Sequence, residues 1–393
     1  MTDTKRLYYE DVYIKEFSAK VVECRKGEKG FQVLLDRSAF YPEGGGQPCD
    51  LGILGDTEVT DVQEKDGELI HYVKAELEPG TEVTGRIDWQ RRFDLMQQHS
   101  GEHIVSGLVH EAYGYNNVGF HMSSDVITID FSGVLDERQL AEIEEKTNRK
   151  IWENKPVEFF YPDKEELAVL PYRSKKELTG KIRLVRFPGA DLCACCGTHV
   201  THTGEIGMVK ILSVENFREG VRVTMISGKR VLDYLNMVNE QNRQVSVKLS
   251  AKATETARAV ERLQEENYRL KGRVLRLEQQ LCDTEAKRWE GAGNVLLFHQ
   301  GMDADSVRKM ADAVMQKCKG RCAVFSENPD GSYKYAVGEK DGDLRQFIKD
   351  MNQALNGRGG GRTFFAQGSV NASEAEIRKF FEKEIITHTV SRR

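Results

Sequence analysis

Two pairs of metal-ligand residues constrain this chain more than any other feature. His99-Ser-Gly-Glu-His103 and Cys195-Cys-Gly-Thr-His199 each set two soft or borderline donors four positions apart. The first pair lies in DLMQQHSGEHIVSGLV, where Leu95, Met96, His99, His103 and Leu108 recur at roughly helical spacing. Side chains four apart on a helix share a face, so His99 and His103 can chelate one ion with little added ordering. Cys195 and His199 can do the same from a tight turn. A His, His, Cys, His donor set suits zinc better than a hard cation. The expectation is one Zn2+ per chain, held by His99, His103, Cys195 and His199. The plainer alternative makes the histidines helix-face core residues and the cysteines merely buried.

Composition narrows the class. The chain has 393 residues, 39% hydrophobic and 30% charged, which suits two or three soluble domains. MTDTKRLYYEDVY has no apolar core and is no signal peptide. No apolar run approaches the ~20 residues that cross a bilayer, so no membrane partner is expected. Three of the eight cysteines crowd into residues 193–196. That pattern reads as metal or redox chemistry in a reducing, cytoplasmic compartment rather than a disulfide scaffold. The net charge of −5 does not advertise nucleic-acid binding, yet residues 294–393 hold 16 Lys and Arg against 13 Asp and Glu. This mild basic bias permits a local phosphate-contact surface.

The pattern along the chain predicts an α+β protein. Residues 1–90 read as a small β-barrel: VVECRKGEKGFQVLLDRS and TEVTDVQEKDGELIHYVKAEL are hairpins around a glycine-rich block, FYPEGGGQPCDLG. Residues 91–235 mix helices with strands and carry both ligand pairs. Residues 236–290 carry heptads: Val260, Asn267, Val274 and Leu281 fall at a, with Leu263, Leu270 and Leu277 at d. They predict a coiled-coil linker, paired either with a second copy or within one chain, and Asn267 is a register-setting residue. Residues 291–393 alternate strands and helices around a glycine loop in GRGGGRTFFAQGSV.

A second metal reading exists. His99-Ser-Gly-Glu-His103 also matches the H-x-x-E-H pattern of inverted zinc peptidases, with Glu102 as general base. The Cys195/His199 pair has no place in that scheme.

FYPEGGGQPCDLG, DLMQQHSGEHIVSG and CCGTHVTHTGEIG, in that order, resemble the editing domain of alanyl-tRNA synthetase and the free-standing AlaX editing proteins. GRGGGRTFFAQGSV resembles the DHHA1 domain that ends both the synthetases and long AlaX proteins. The resemblance covers nearly the whole chain. It implies an α/β zinc-containing editing domain, a C-terminal DHHA1-like domain, and the same four zinc ligands. It gives Glu102 no essential role. Cys196 departs from the commoner Cys-Gly-Gly-Thr-His. The editing blocks begin by residue 40, which leaves no room before them for a class II aminoacylation domain. The implied activity is therefore trans-editing: hydrolysis of the ester of tRNA(Ala) mischarged with serine, and of the glycine ester. A non-catalytic tRNA-binding module with structural zinc is the alternative. A DHH-type phosphoesterase is discounted, because the chain has no Asp-His-His.

Further residues are candidates for substrate contact. Gly44, Gly45 and Gly46 let backbone approach the terminal adenosine. Gln47 can hydrogen-bond substrate, and His121 is placed at the pocket. Ser38, where the family typically has Thr, and Gln63 are candidates for meeting a seryl hydroxyl. Arg358 and Arg362 can cradle RNA phosphate. A homodimer through the coiled coil is expected. Whether zinc activates water or positions substrate is left open, since four protein ligands close a tetrahedral shell.

Overall fold

The computed structural model describes residues 4–27, 30–174 and 180–384. The tip of the first expected hairpin, residues 28–29, lies outside them. The chain divides into two compact units, Met1–Gln244 and Val245–Arg393.

In the first unit, six strands close into a barrel. The order around the ring is Glu16–Gly27, Gly30–Leu35, Glu68–Val73, Thr57–Lys65, Gly52–Leu54 and Glu82–Ile87. Alternating residues of these strands point inward, so Ala19, Val21, Val33, Leu35, Val59, Leu69 and Val73 fill one core. Helix α1, Trp89–Tyr113, leaves the barrel directly. Its N-cap Asp88 accepts from the Arg91 amide at 3.1 Å, and Gly114 ends it at φ 71°. Arg92 ties this helix to the barrel. It is fully buried, pairs with the equally buried Asp50, and donates to the carbonyls of Val12 (3.0 Å) and Ala39 (2.6 Å). A buried charge needs such pairing to be tolerated.

Beyond the barrel, α1 and α2 (Glu137–Trp152) pack with two sheets. One has the order Val209–Phe217, Gly220–Ser227, Ile127–Phe131, Asn117–Met122. The other has the order Glu158–Phe160, Leu184–Phe187, Asp191–Ala194. Buried glutamines splint α1 to the first sheet: Gln98 exchanges two 2.8 Å bonds with the backbone of Ser227. Four consecutive positions of α1, Gln97 to Ser100, are buried, so this helix is enclosed rather than lying on a surface.

The second unit holds a mixed sheet ordered Val295–Gln300, Cys322–Glu327, Tyr333–Gly338, Phe365–Val370, Gly357–Arg362. Only the first pair is parallel. The glycine-rich segment expected as a loop is instead an edge strand. Its glycines make room rather than a turn. A Cβ on Gly359 would lie 2.5 Å from the Tyr335 hydroxyl and 2.6 Å from Gly368 Cα. The heptad region is two helices, Lys229–Leu249 and Thr256–Arg288, interrupted where Ser250 takes φ 49°. The heptad residues of the second helix are largely exposed: Leu263 is 53% accessible, Leu270 48% and Leu277 54%.

Candidate metal centre

α1 presents His99 and His103 on one face, and the loop after strand Asp191–Ala194 carries Cys195 and His199 to meet them. One donor atom from each of the four lies within 4.8 Å of every other. Cys195 Sγ is 3.5 Å from His99 Nε2. Two ligands of one tetrahedral zinc, at ordinary Zn–S and Zn–N lengths, stand about 3.6 Å apart.

The tautomers are set from behind. His99 Nδ1 donates to Gln47 Oε1 at 2.9 Å, and His103 Nδ1 donates to Asp191 Oδ2 at 2.8 Å. Each imidazole therefore turns an unprotonated Nε2 toward the cluster, as a metal ligand requires. Asp191 is held by Arg173, through Nε and Nη2 at 2.8 Å each. Gln47 is fully buried and is held by Thr198, whose amide donates to Oε1 at 3.1 Å and whose hydroxyl accepts from Nε2 at 2.8 Å.

His199 supplies the test of whether a metal fits. Its ring is fully buried, yet among the described residues neither nitrogen has a hydrogen-bond partner. Leaving such a group unsatisfied costs roughly 1–3 kcal/mol. The ring stands 4.5 Å from that of His99 and 4.9 Å from that of His103, so its nitrogens lie among the other donors. A metal ion held by the four residues would satisfy this histidine. Burial drives the His199 pKa down to about 3, keeping the ring neutral. Burial also pushes the Cys195 thiol up, but the His99 and His199 rings outweigh it and hold the group well below the ordinary thiol range. Gly197 is required here, because a Cβ would stand 2.3 Å from His99 Cε1.

The other candidates fall around this centre or away from it. Gly44 to Gln47 is a tight turn closed by two 3.0 Å backbone bonds, with Gly45 at φ 61° and Gly46 at φ 88°. A Cβ on Gly46 would be 2.7 Å from the Phe120 ring, which stacks on His99 at 5.3 Å, whereas nothing lies within 4 Å of one on Gly45. His121 is exposed, and strand alternation turns it from the face on which Phe120 meets His99. Ser38 is fully buried in the barrel, its hydroxyl 2.7 Å from His71 Nε2 and accepting from the Phe40 amide at 3.1 Å. Gln63 donates to Glu43, beside the glycine turn, at 3.0 Å, and to Asp61 at 3.2 Å. Arg358 and Arg362 are exposed on the edge strand of the second unit. Glu102 is buried and accepts from Ser106 and Asn117.

Sequence reasoning passed over Asp191, Arg173, Phe120 and Arg183. Asp191 alone carried a signal, as the acidic residue just before the cysteine run.

Comparison with known proteins places this barrel and its histidine-bearing helix among alanyl-tRNA synthetase-related proteins. Residues 182–222 match the model described as the threonyl and alanyl tRNA synthetase second additional domain. Residues 2–91 match tRNA synthetases class II (A), and residues 292–387 match the DHHA1 domain. The chain is 29% identical to the alanyl-tRNA editing protein AlaX-L of Pyrococcus horikoshii, over 95% of this chain and 96% of that one. It is 32% identical to the alanyl-tRNA editing protein Aarsd1 of Rattus norvegicus, over 74% of this chain and 76% of that one. An alanine–tRNA ligase of Archaeoglobus fulgidus is 33% identical over 93% of this chain but only 42% of its own length. The chain belongs to the alanyl-tRNA editing protein family.

Proposed function

We propose that the chain hydrolyses the ester of mischarged tRNA(Ala), chiefly Ser-tRNA(Ala) and also Gly-tRNA(Ala), at a centre where His99, His103, Cys195 and His199 hold one Zn2+. The observation that carries this reading is the convergence of these four donors around His199, whose buried nitrogens have no hydrogen-bond partner among the described residues. Zinc, when bound, supplies a Lewis acid for the ester carbonyl and lowers the pKa of water. Gln47 and Asp191 orient His99 and His103 from behind and keep their Nε2 atoms unprotonated. The tip of the glycine turn at Gly45 is open for backbone approach to the terminal adenosine. Arg358 and Arg362 of the DHHA1-like domain contribute phosphate contacts, and the exposed heptads pair two copies. The setting is the cytoplasm.

Serine must be told from alanine by a polar partner, since a pocket cannot exclude the smaller side chain by size. Ser38 and Gln63 are the groups proposed for this. Both carry partners in this structure, so engaging a seryl hydroxyl exchanges one hydrogen bond for another.

One feature favours a second reading. Four protein ligands fill a tetrahedral shell, as in structural zinc sites. A non-catalytic tRNA-binding module would then retain its fold and have no turnover. Stripping the metal separates the two: the enzymatic reading expects deacylation to vanish while the barrel stays folded, and to return when zinc is restored.

A further inference from the structure

Two arginines are almost wholly buried among the described residues, Arg92 at 0% and Arg183 at 6% exposure. Arg92 is neutralised by Asp50. No carboxylate among the described residues pairs with Arg183. Its Nη1 donates to the carbonyls of Cys195 (2.9 Å) and Gly197 (3.1 Å), so the guanidinium is fixed to the loop that supplies a metal ligand. Its plane is lodged against the rings of Phe159, at 4.8 Å, and Tyr9, at 5.3 Å. No hydrogen bond among the described residues engages Nε or Nη2, and neither is sealed from solvent.

Among the described residues no carboxylate offsets this charge directly. Arg183 lies close enough to act electrostatically on Tyr9, Tyr41 and Cys196. Cys196 adjoins the ligand Cys195, and the glycine turn that carries Gln47 lies beside the Tyr41 hydroxyl, so these groups border the metal centre. The acid that reaches this region, Glu64, is itself bonded to Arg6 at 2.8 Å. A buried guanidinium without a carboxylate is costly, and one held rigid with an open edge of N–H donors matches an oxyanion of phosphate or carboxylate.

We propose that Arg183 is an anion-recognition residue bordering the metal centre, taking a phosphodiester of the tRNA 3′ end through Nε and Nη2. This rests on the editing reading above for the identity of the RNA. The carboxylate of the released amino acid offers the same chemistry, and the test separates the two.

The experiment uses the full chain with Arg183→Gln and Arg183→Lys. Binding of uncharged tRNA(Ala) is measured across a salt series, zinc content and melting temperature are recorded, and inhibition by free serine is compared. Arg183→Gln is expected to weaken tRNA binding about tenfold at low salt, the scale of one charge-assisted hydrogen bond. The log–log salt slope should fall by about 0.7, one single-stranded phosphate. Zinc content should hold, and Arg183→Lys should restore the slope. Unchanged affinity and slope at full zinc content would overturn the proposal. An unchanged slope with lost inhibition by serine would assign the guanidinium to the product carboxylate and overturn the phosphate assignment. Loss of zinc in both variants would reduce Arg183 to a clamp on the ligand loop, which also overturns it. Because uncharged tRNA is the probe, a failure of the hydrolytic reading alone would leave these results readable.

Discussion

His99 Nδ1 donates to Gln47 Oε1 across 2.9 Å, so a residue closing a glycine turn of the barrel sets the orientation of a donor on α1. The same amide accepts from Thr198 N, and its NH2 donates to Thr198 Oγ1, one residue before His199. Gln47 thus couples both donor pairs while touching neither Nε2.

Replacing Gln47 by Leu should lower zinc affinity by about 10–100-fold, as loss of a group supporting a metal-bound histidine does elsewhere. Asp191→Ala should act alike through His103. Chelator competition measures both. A Gln47 variant that binds zinc normally and raises only KM would instead make Gln47 a substrate contact.

Asp50→Ala should destabilise the first unit by about 3–5 kcal/mol, because it strands the buried Arg92 charge. The paired change Asp50→Leu with Arg92→Met should recover most of that loss. Urea unfolding of the three proteins reads it.

His71 introduces acid sensitivity. It is fully buried, and desolvation depresses its pKa from 6.5 to about 4, with its bond to the Val33 carbonyl opposing. The unfolded chain therefore takes up this proton before the folded one does. Stability is intact above pH 6.5 and falls as pH drops toward 4, by about 3 kcal/mol over the window. Unfolding at pH 7 and pH 4.5 should show this loss, and a His71→Leu, Ser38→Ala double variant should lose less.

The heptad face of Thr256–Arg288 should bury itself in a second copy. Light scattering on the full chain should give a dimer, and Leu263→Lys with Leu270→Lys should give a monomer. A monomeric wild type at micromolar concentration would exclude an intermolecular coil.

What could be read in advance follows physical range. The four donors were legible because each pair is local: spacing on a helix or in a tight turn needs no knowledge of the fold. Gln47 was legible as a polar residue beside a glycine turn, but not its task, because Thr198 is 151 positions away. Arg183 carried no signal in the sequence, since what marks it is that no carboxylate among the described residues pairs with it in three dimensions. The tail glycines read as a loop by composition. Pairing with Phe365–Val370 and the bulk of Tyr335 make them a strand. Ser38 was identified by position in a block, and its enclosure with His71 depends on a strand 33 positions on.

The most direct test of the central claim is amino-acid release from Ser-tRNA(Ala), Gly-tRNA(Ala) and Ala-tRNA(Ala) by the zinc-loaded chain, alongside a His103→Ala, Cys195→Ala variant. The account predicts that the seryl ester is hydrolysed fastest, the glycyl ester also, the alanyl ester scarcely, and that the variant is inactive with every ester. Equal release from all three, or release by the variant at the wild-type rate, would contradict it.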